Sequence, residues 1–168
     1  MLKILIVYYS LTGNTKFIAE AIKEAINADI LELKPVKELN AIGRMKFFWG
    51  GYQAIMKKKP KLKGFYLDPL EYDLIFLGTP VWAWRYSPPI HSFLSKFDLK
   101  GKDVALWMCC GGNGETASVR FKDALKDANI VGNIWFKEPL LQEPKESKNK
   151  AIVWAQNIIQ NKAGLNIN

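Results

Sequence analysis

The chain has 168 residues, of which 49% are hydrophobic and 24% charged, a composition typical of one folded domain rather than of a disordered chain. Lys and Arg number 24 against 16 Asp and Glu, a formal net charge of +8, which bears on binding partners more than on fold. No apolar run reaches the ~20 residues of a membrane helix, and two adjacent cysteines exclude a disulfide framework. We therefore expect a cytoplasmic protein with no stable membrane insertion. A single histidine also leaves little material for a metal site.

Apolar runs of strand length alternate along the chain with segments of helical periodicity. Strands are predicted at Leu2–Tyr8, Asp29–Leu33, Tyr72–Gly78, Asp103–Cys109 and Asn129–Phe136, and helices at Phe17–Ile26, Pro88–Phe97, Glu115–Ala128 and Lys148–Lys162. The strands are continuously apolar, which indicates burial on both faces, as in parallel sheets. We therefore predict an α/β fold with a three-layer, doubly wound, five-stranded parallel sheet, in a single domain of residues 1–168.

Ligands in such folds bind beyond the carboxyl ends of the strands, near the point where the strand order reverses. This rule directs attention to three connections in the sequence. They are Tyr9–Thr15, Gly78–Ser87 and Cys109–Glu115.

The first of these connections has the composition of an anion site. Ser10, Thr12, Asn14 and Thr15 bring polar side chains to the start of a helix, and Gly13 lets the backbone approach a ligand closely. Free N–H groups and the positive end of the helix dipole favour a phosphate there. The alternative is helix capping alone, although one cap needs only one such residue.

Other phosphate motifs are absent or weak. No Gly-x-x-x-x-Gly-Lys-Ser/Thr string occurs, which argues against nucleotide hydrolysis. Residues 112–117 match a loose Gly-x-Gly-x-x-Ala pattern, but they follow the fourth predicted strand rather than the first.

The sequence Ser-x-Thr-Gly-Asn-Thr lies between a predicted strand and an amphipathic helix. This arrangement resembles the phosphate loop of the flavodoxins. The resemblance extends to an aromatic loop after the third strand and a Cys/Gly-rich loop after the fourth. It implies FMN as a noncovalent cofactor, with the phosphate held by Ser10, Thr12, Gly13, Asn14 and Thr15. The flavin ring would lie between Pro80, Val81, Trp82, Ala83 and Trp84 on one side and Cys110, Gly111, Gly112, Asn113 and Gly114 on the other. Trp82 or Trp84 is suited to stack on a flat aromatic ring, and core packing is the alternative for both.

The resemblance implies electron transfer, in one of two forms. The first is an FMN carrier that shuttles electrons between redox partner proteins and has no substrate of its own. The alternative is an FMN-dependent NAD(P)H/quinone-type reductase that acts on a small acceptor. A non-flavin interaction module is a third, more distant reading.

The chain departs from the acidic character of typical flavodoxins. An insertion at about residues 44–63 combines aromatic residues with seven positive charges and no acid, at Arg44, Lys46, Lys57, Lys58, Lys59, Lys61 and Lys63. It is interpreted as a docking face for an acidic redox partner, a flap over the flavin, or a surface for nucleic acid or an anionic membrane. A solvated lysine face over packed aromatics is the remaining reading. We expect partner proteins with an acidic face. We do not expect nucleic acid as a partner, because no nucleic-acid-recognition motif accompanies the lysines.

Overall fold

A computed structural model describes residues 2–38, 52 and 56–164. In chain order its elements are β1 (Ile4–Tyr8), α1 (Asn14–Ala25), β2 (Asp29–Glu32), a 3₁₀ turn (Pro69–Glu71), β3 (Leu74–Trp82), β4 (Arg85–Tyr86), α2 (Pro88–Lys96), β5 (Asp103–Cys110), α3 (Glu115–Ala124), β6 (Asn129–Lys137) and α4 (Pro144–Lys162). Most of the predicted insertion, including Arg44 and Lys46, lies outside the described residues.

Five of the strands form one parallel sheet in the order β2-β1-β3-β5-β6. The strand order reverses between β1 and β3, because the chain first moves outward from β1 to β2 and then returns to the other side of β1. This reversal opens a crevice at the carboxyl edge of the sheet. The prediction of a five-stranded, doubly wound parallel sheet is confirmed.

Helices cover both faces of the sheet, which explains the continuous apolarity of its strands. Alternate residues of β1 show the division: Ile4 and Ile6 pack under α1 and α4, whereas Leu5 and Val7 pack under α2 and α3. Each face therefore has its own apolar core, and the domain has three layers. No helix among the described residues is long and apolar enough to cross a bilayer.

The structure corrects several predicted boundaries. β3 does not end at Gly78 but continues to Trp82, because its pairing with β5 extends through Pro80 and its end pairs antiparallel with β4. The third helix ends at Ala124 rather than Ala128, where the Leu125 N–H turns back to the Lys122 carbonyl. α4 begins at Pro144 rather than Lys148, since proline suits the first turn of a helix. The other strand ends shift by one or two residues.

Gly78 leaves space on the central strand β3 for a large side chain of the neighbouring strand. It pairs with Tyr8 on one side and with Trp107 on the other, and the fully buried Trp107 ring lies over its backbone. A Cβ at this position would lie 2.0 Å from Trp107 Cζ2. Glycine is thus required at the centre of the sheet.

We expect Gly78→Ala to lower the free energy of unfolding by on the order of 2 kcal/mol, because the added methyl group overpacks a core that cannot yield. Gly64→Ala is the matched control, since no atom lies within 4 Å of its added Cβ, and a change below about 0.5 kcal/mol is expected. Urea unfolding followed by circular dichroism measures both. Equal midpoints for the two variants would contradict this packing account.

Candidate functional site

A cavity of about 280 Å³ lies at the carboxyl edge of the sheet, at the predicted crevice. It is lined by Leu11, Thr12, Asn14, Pro80, Val81, Trp82, Cys109, Cys110, Gly111, Glu138 and Leu141. Larger hollows of about 540 and 580 Å³ lie at the amino edge and beside the outer strand β6. Those hollows contain none of the predicted site residues, so the edge cavity is the candidate site.

The loop before α1 contributes the first wall of this cavity. Gly13 adopts φ +91°, a left-handed conformation that favours glycine, and as the N-cap residue of α1 it has no side chain of its own to cap the helix. The Asn14 amide fixes the loop from both ends: its Nδ2 donates to Thr12 Oγ1 (3.2 Å), and its Oδ1 accepts from the Leu140 N–H (3.0 Å). The loop is therefore tied to the segment that follows β6.

Several hydrogen-bond donors of this loop lack acceptors. Ser10 Oγ accepts from the Lys16 N–H at 3.2 Å, so Ser10 performs the capping role. The backbone N–H groups of residues 12–15 donate to no acceptor in the described part of the chain. Thr15 Oγ1 is buried near the Cys109 thiol but makes no hydrogen bond of acceptable geometry within that part. The first turn of α1 holds no acidic residue, so the arrangement can accept an anion.

The β3–β4 hairpin forms the aromatic wall. Val81 pairs with Tyr86 and Trp82 with Arg85, which leaves Ala83 and Trp84 as a two-residue turn. Both turn residues have positive φ, 47° and 57°, and each such non-glycine residue costs about 1 kcal/mol. Arg120 of α3 holds the turn by donating to the Trp84 carbonyl oxygen at 3.0 Å.

The two tryptophans occupy different environments. Trp82 is 6% exposed, lines the cavity and packs edge-on against Tyr9, with ring centroids 5.8 Å apart. Trp84 is 65% exposed at the tip of the hairpin and does not line the cavity. Trp82 therefore forms part of the inner wall, and the Trp84 ring remains at the rim.

The end of β5, which pairs with β3 through Cys109 and Pro80, supplies another wall. The Cys110 thiol donates to the Gly112 carbonyl oxygen at 3.0 Å, which fixes the turn after the strand. Burial raises the pKa of the Cys109 thiol well above its ordinary value, opposed by Thr15, and burial also raises the pKa of Cys110. Both thiols are thus protonated at neutral pH and serve as packing groups rather than nucleophiles.

Gly112, Asn113 and Gly114 do not line the cavity. Asn113 Oδ1 accepts from the Glu115 N–H at 2.7 Å at the start of α3. A Cβ on Gly114 would lie 2.7 Å from Trp135 Cγ, so this glycine is needed for packing. Gly112 is exposed, with open space around its backbone.

Sequence reasoning missed four residues of the cavity: Leu11, Cys109, Glu138 and Leu141. Leu11 and Cys109 adjoin predicted site residues. Glu138 and Leu141 follow β6, which is the fifth parallel strand. Ligands bind beyond the carboxyl ends of such strands, so the same rule that located the other loops also predicts ligand contacts after β6. Glu138 is the one charged side chain among the described residues of the cavity wall, and it accepts from Gln142 Nε2 at 2.9 Å.

The fold and site define a doubly wound α/β protein with a ligand cavity at its topological switch point. The flavodoxin family model matches residues 3–158, and the chain belongs to the flavodoxin family. No curated protein sequence gives a significant match.

Solved structures give the same relationship. A flavoprotein from Lactobacillus acidophilus NCFM, in complex with FMN, is 25% identical, with 84% of this chain and 98% of that chain covered and a TM-score of 0.71. Oxidised flavodoxin 2 from Bacillus cereus is 25% identical over 92% of this chain and 99% of its own (TM-score 0.56). Two-electron reduced Megasphaera elsdenii flavodoxin is 25% identical over 91% and 98% (TM-score 0.52).

Proposed function

We propose that this protein binds FMN in the edge cavity and carries electrons between redox partner proteins. The observation that carries the proposal is one cavity that joins unused anion donors at the start of α1 to an apolar, aromatic wall from β3. The family and the FMN complex of the Lactobacillus relative support the same cofactor. We further place the protein in the cytoplasm, where its free thiols would stay reduced.

The loop before α1 would hold the phosphate of FMN. The unused N–H groups of residues 12–15 and the hydroxyls of Thr12 and Thr15 are neutral donors, and no Lys or Arg lines the described part of the cavity. Neutral donors at a helix N-terminus bind a phosphate for position and do not promote its transfer. The Thr15 hydroxyl, buried with no hydrogen-bond partner among the described residues, would gain one from a phosphate oxygen.

The remaining walls would hold the flavin ring. Pro80, Val81 and Trp82 present an apolar surface, and Cys110 and Gly111 line the cavity at the end of the adjacent strand β5. The rim position of Trp84 leaves its ring able to cover the outer face of a flat ligand. These residues would orient the ring and exclude water from it, and FMN supplies the one- and two-electron chemistry.

Glu138 would tune the redox potential of the bound flavin. Its carboxylate is the charged group that the described cavity wall places beside the ligand. A fixed negative charge opposes the addition of electrons nearby, because it raises the energy of an anionic reduced ring. We therefore expect a low midpoint potential.

The alternative is an FMN-dependent reductase that takes electrons from NAD(P)H and passes them to a small acceptor. Such an enzyme needs room for a second small molecule beside the flavin. The part of the cavity that the described residues line measures about 280 Å³, just below the usual size range for a single ligand, and so offers no space for a second one. On these residues the carrier is preferred.

Anaerobic reductive titration of the FMN-loaded protein tests this choice. A carrier should accumulate an unpaired-electron signal in electron paramagnetic resonance and react slowly with NAD(P)H. Rapid reduction by NAD(P)H, with turnover of a quinone and no such signal, would favour the reductase. Protein that stays colourless after FMN addition would exclude both.

We expect Thr12→Val and Thr15→Val each to weaken FMN binding about tenfold, because each loses a hydrogen bond to a charged phosphate. Riboflavin, which lacks the phosphate, should bind both variants as it binds the parent protein. Thr15→Ser is the matched control and should retain FMN affinity. Fluorescence quenching titrations measure all of these, and equal losses for FMN and riboflavin would contradict the phosphate role.

We expect Glu138→Gln to raise the midpoint potential of the bound flavin, because the substitution removes the negative charge at constant size. The Gln142→Met variant is the control, since it removes the hydrogen-bond donor to Glu138 but keeps the charge. Spectroelectrochemical titration gives both potentials. A Glu138→Gln potential equal to or below that of the parent protein would be inconsistent with this role.

A further inference from the structure

Five lysines between residues 57 and 63 form a basic surface. Lys57, Lys58, Lys59, Lys61 and Lys63, which we call the basic strip, are all exposed. None of them makes a salt bridge with any residue that the structure describes. Such a run of unpaired like charges is unfavourable by itself and gains most from an external anionic partner.

The basic strip is fixed to the fold rather than free of it. The Lys63 N–H donates to the Lys34 carbonyl and the Val36 N–H to the Lys61 carbonyl, both at 2.8 Å, so the strip pairs with the chain that leaves β2. The Ser92 hydroxyl of α2 donates to the Pro60 carbonyl at 2.7 Å. Two separate elements thus hold the backbone of the strip between Pro60 and Lys63.

A short series of contacts connects the strip to the cavity. Val81 lines the cavity and pairs with Tyr86, whose ring lies 6.1 Å from the ring of His91. His91 in turn lies beside the lysines: burial and then Lys59 lower its pKa, against a smaller opposing effect of the carbonyls of Lys57 and Lys58. The His91 ring is therefore neutral at pH 7, and the positive charge near this wall of the cavity comes from the lysines together with Arg85 of β4 and Arg120 of α3.

Exposed apolar side chains adjoin the basic strip, across the pairing with Lys61 or along the chain. Val36 lies opposite Lys61, Met56 precedes Lys57, and Tyr66 follows Lys63 by three residues; all three are exposed. Protein interfaces combine such apolar and aromatic anchors with a charged rim. Protein–DNA interfaces rely mainly on hydrogen bonds to phosphate and sugar, whereas protein interfaces bury apolar anchors of this kind, so a protein partner fits the surface better.

We propose that the basic strip is the docking surface for an acidic redox protein, held so that its redox centre lies near the flavin cavity. This inference rests on the proposed function, since electrons pass rapidly only between closely placed centres. Electrostatic steering by the strip would raise the rate of productive encounter. One electron leaves the partner's reduced centre, which is thereby oxidised, and enters the FMN, which takes up any accompanying proton from solvent.

The test measures electron transfer from a defined acidic donor. A reduced plant-type [2Fe–2S] ferredoxin, chosen for its acidic surface and low potential, is mixed by stopped flow with the FMN-loaded protein, and loss of flavin absorbance gives the second-order rate constant. At about 10 mM ionic strength we expect Lys57→Gln/Lys58→Gln/Lys59→Gln to lower this constant about tenfold. Its dependence on salt should also become weaker than that of the parent protein.

A second triple variant separates position from net charge. Lys23, Lys100 and Lys126 are exposed near the amino edge of the sheet, and Lys23→Gln/Lys100→Gln/Lys126→Gln removes the same three charges there. Its rate constant should stay within about twofold of the parent value, because it leaves the docking surface intact. Equal loss in both variants would mean that only net charge matters and would overturn the proposal.

The remaining outcomes separate failure of the docking inference from failure of the proposed function. FMN content and the paramagnetic signal are measured on every variant. Parent protein that takes up no FMN ends the proposed function, and the docking inference with it. Normal FMN uptake with equal rates for the strip variant and the parent overturns the docking inference alone. Strip-dependent binding of the parent to duplex DNA or to phosphatidylserine vesicles, tighter than to the ferredoxin, would show that the partner is not a protein.

Discussion

The burial of the parallel sheet on both faces is the constraint from which the rest of the structure follows. Because α1 and α4 cover one face and α2 and α3 the other, the central strands can carry no polar chemistry along their length. Gly78 under the Trp107 ring shows how little space remains between the layers. Polar and ligand-binding groups are therefore confined to the edge where the strands end, and the reversal of strand order opens one place there for a ligand.

Much of this arrangement is predictable from the sequence, for a physical reason. Continuous apolar runs reveal strands buried on both faces, and the cluster Ser10–Thr15 marks a helix start with more polar groups than a cap requires. The β3–β4 hairpin was not predictable, because its turn, Ala83 and Trp84, lacks the Gly, Asn or Asp that usually marks left-handed residues. Gly114 shows a further limit: a glycine beside a ligand and a glycine under a tryptophan look the same in a sequence.

Charge is distributed unevenly around the site. The described cavity wall carries Glu138 and neutral donors, whereas the lysines of the basic strip lie outside it, next to α2. This separation allows the proposed cofactor site and the proposed partner surface to differ in sign. A change in the lysines would then alter which protein docks, while the groups that hold and tune the cofactor stay as they are.

The hairpin tip has a consequence for how a ligand is received. Ala83 and Trp84 both occupy left-handed backbone conformations, and Arg120 holds the Trp84 carbonyl. A turn that is strained and clamped has few other conformations of similar energy, so this wall of the cavity exists before any ligand arrives. Binding then needs little ordering of the loop, and the entropy already lost on folding is not lost again on association. The strain in these two residues costs stability on folding, and in return a ligand pays less to order this loop when it binds.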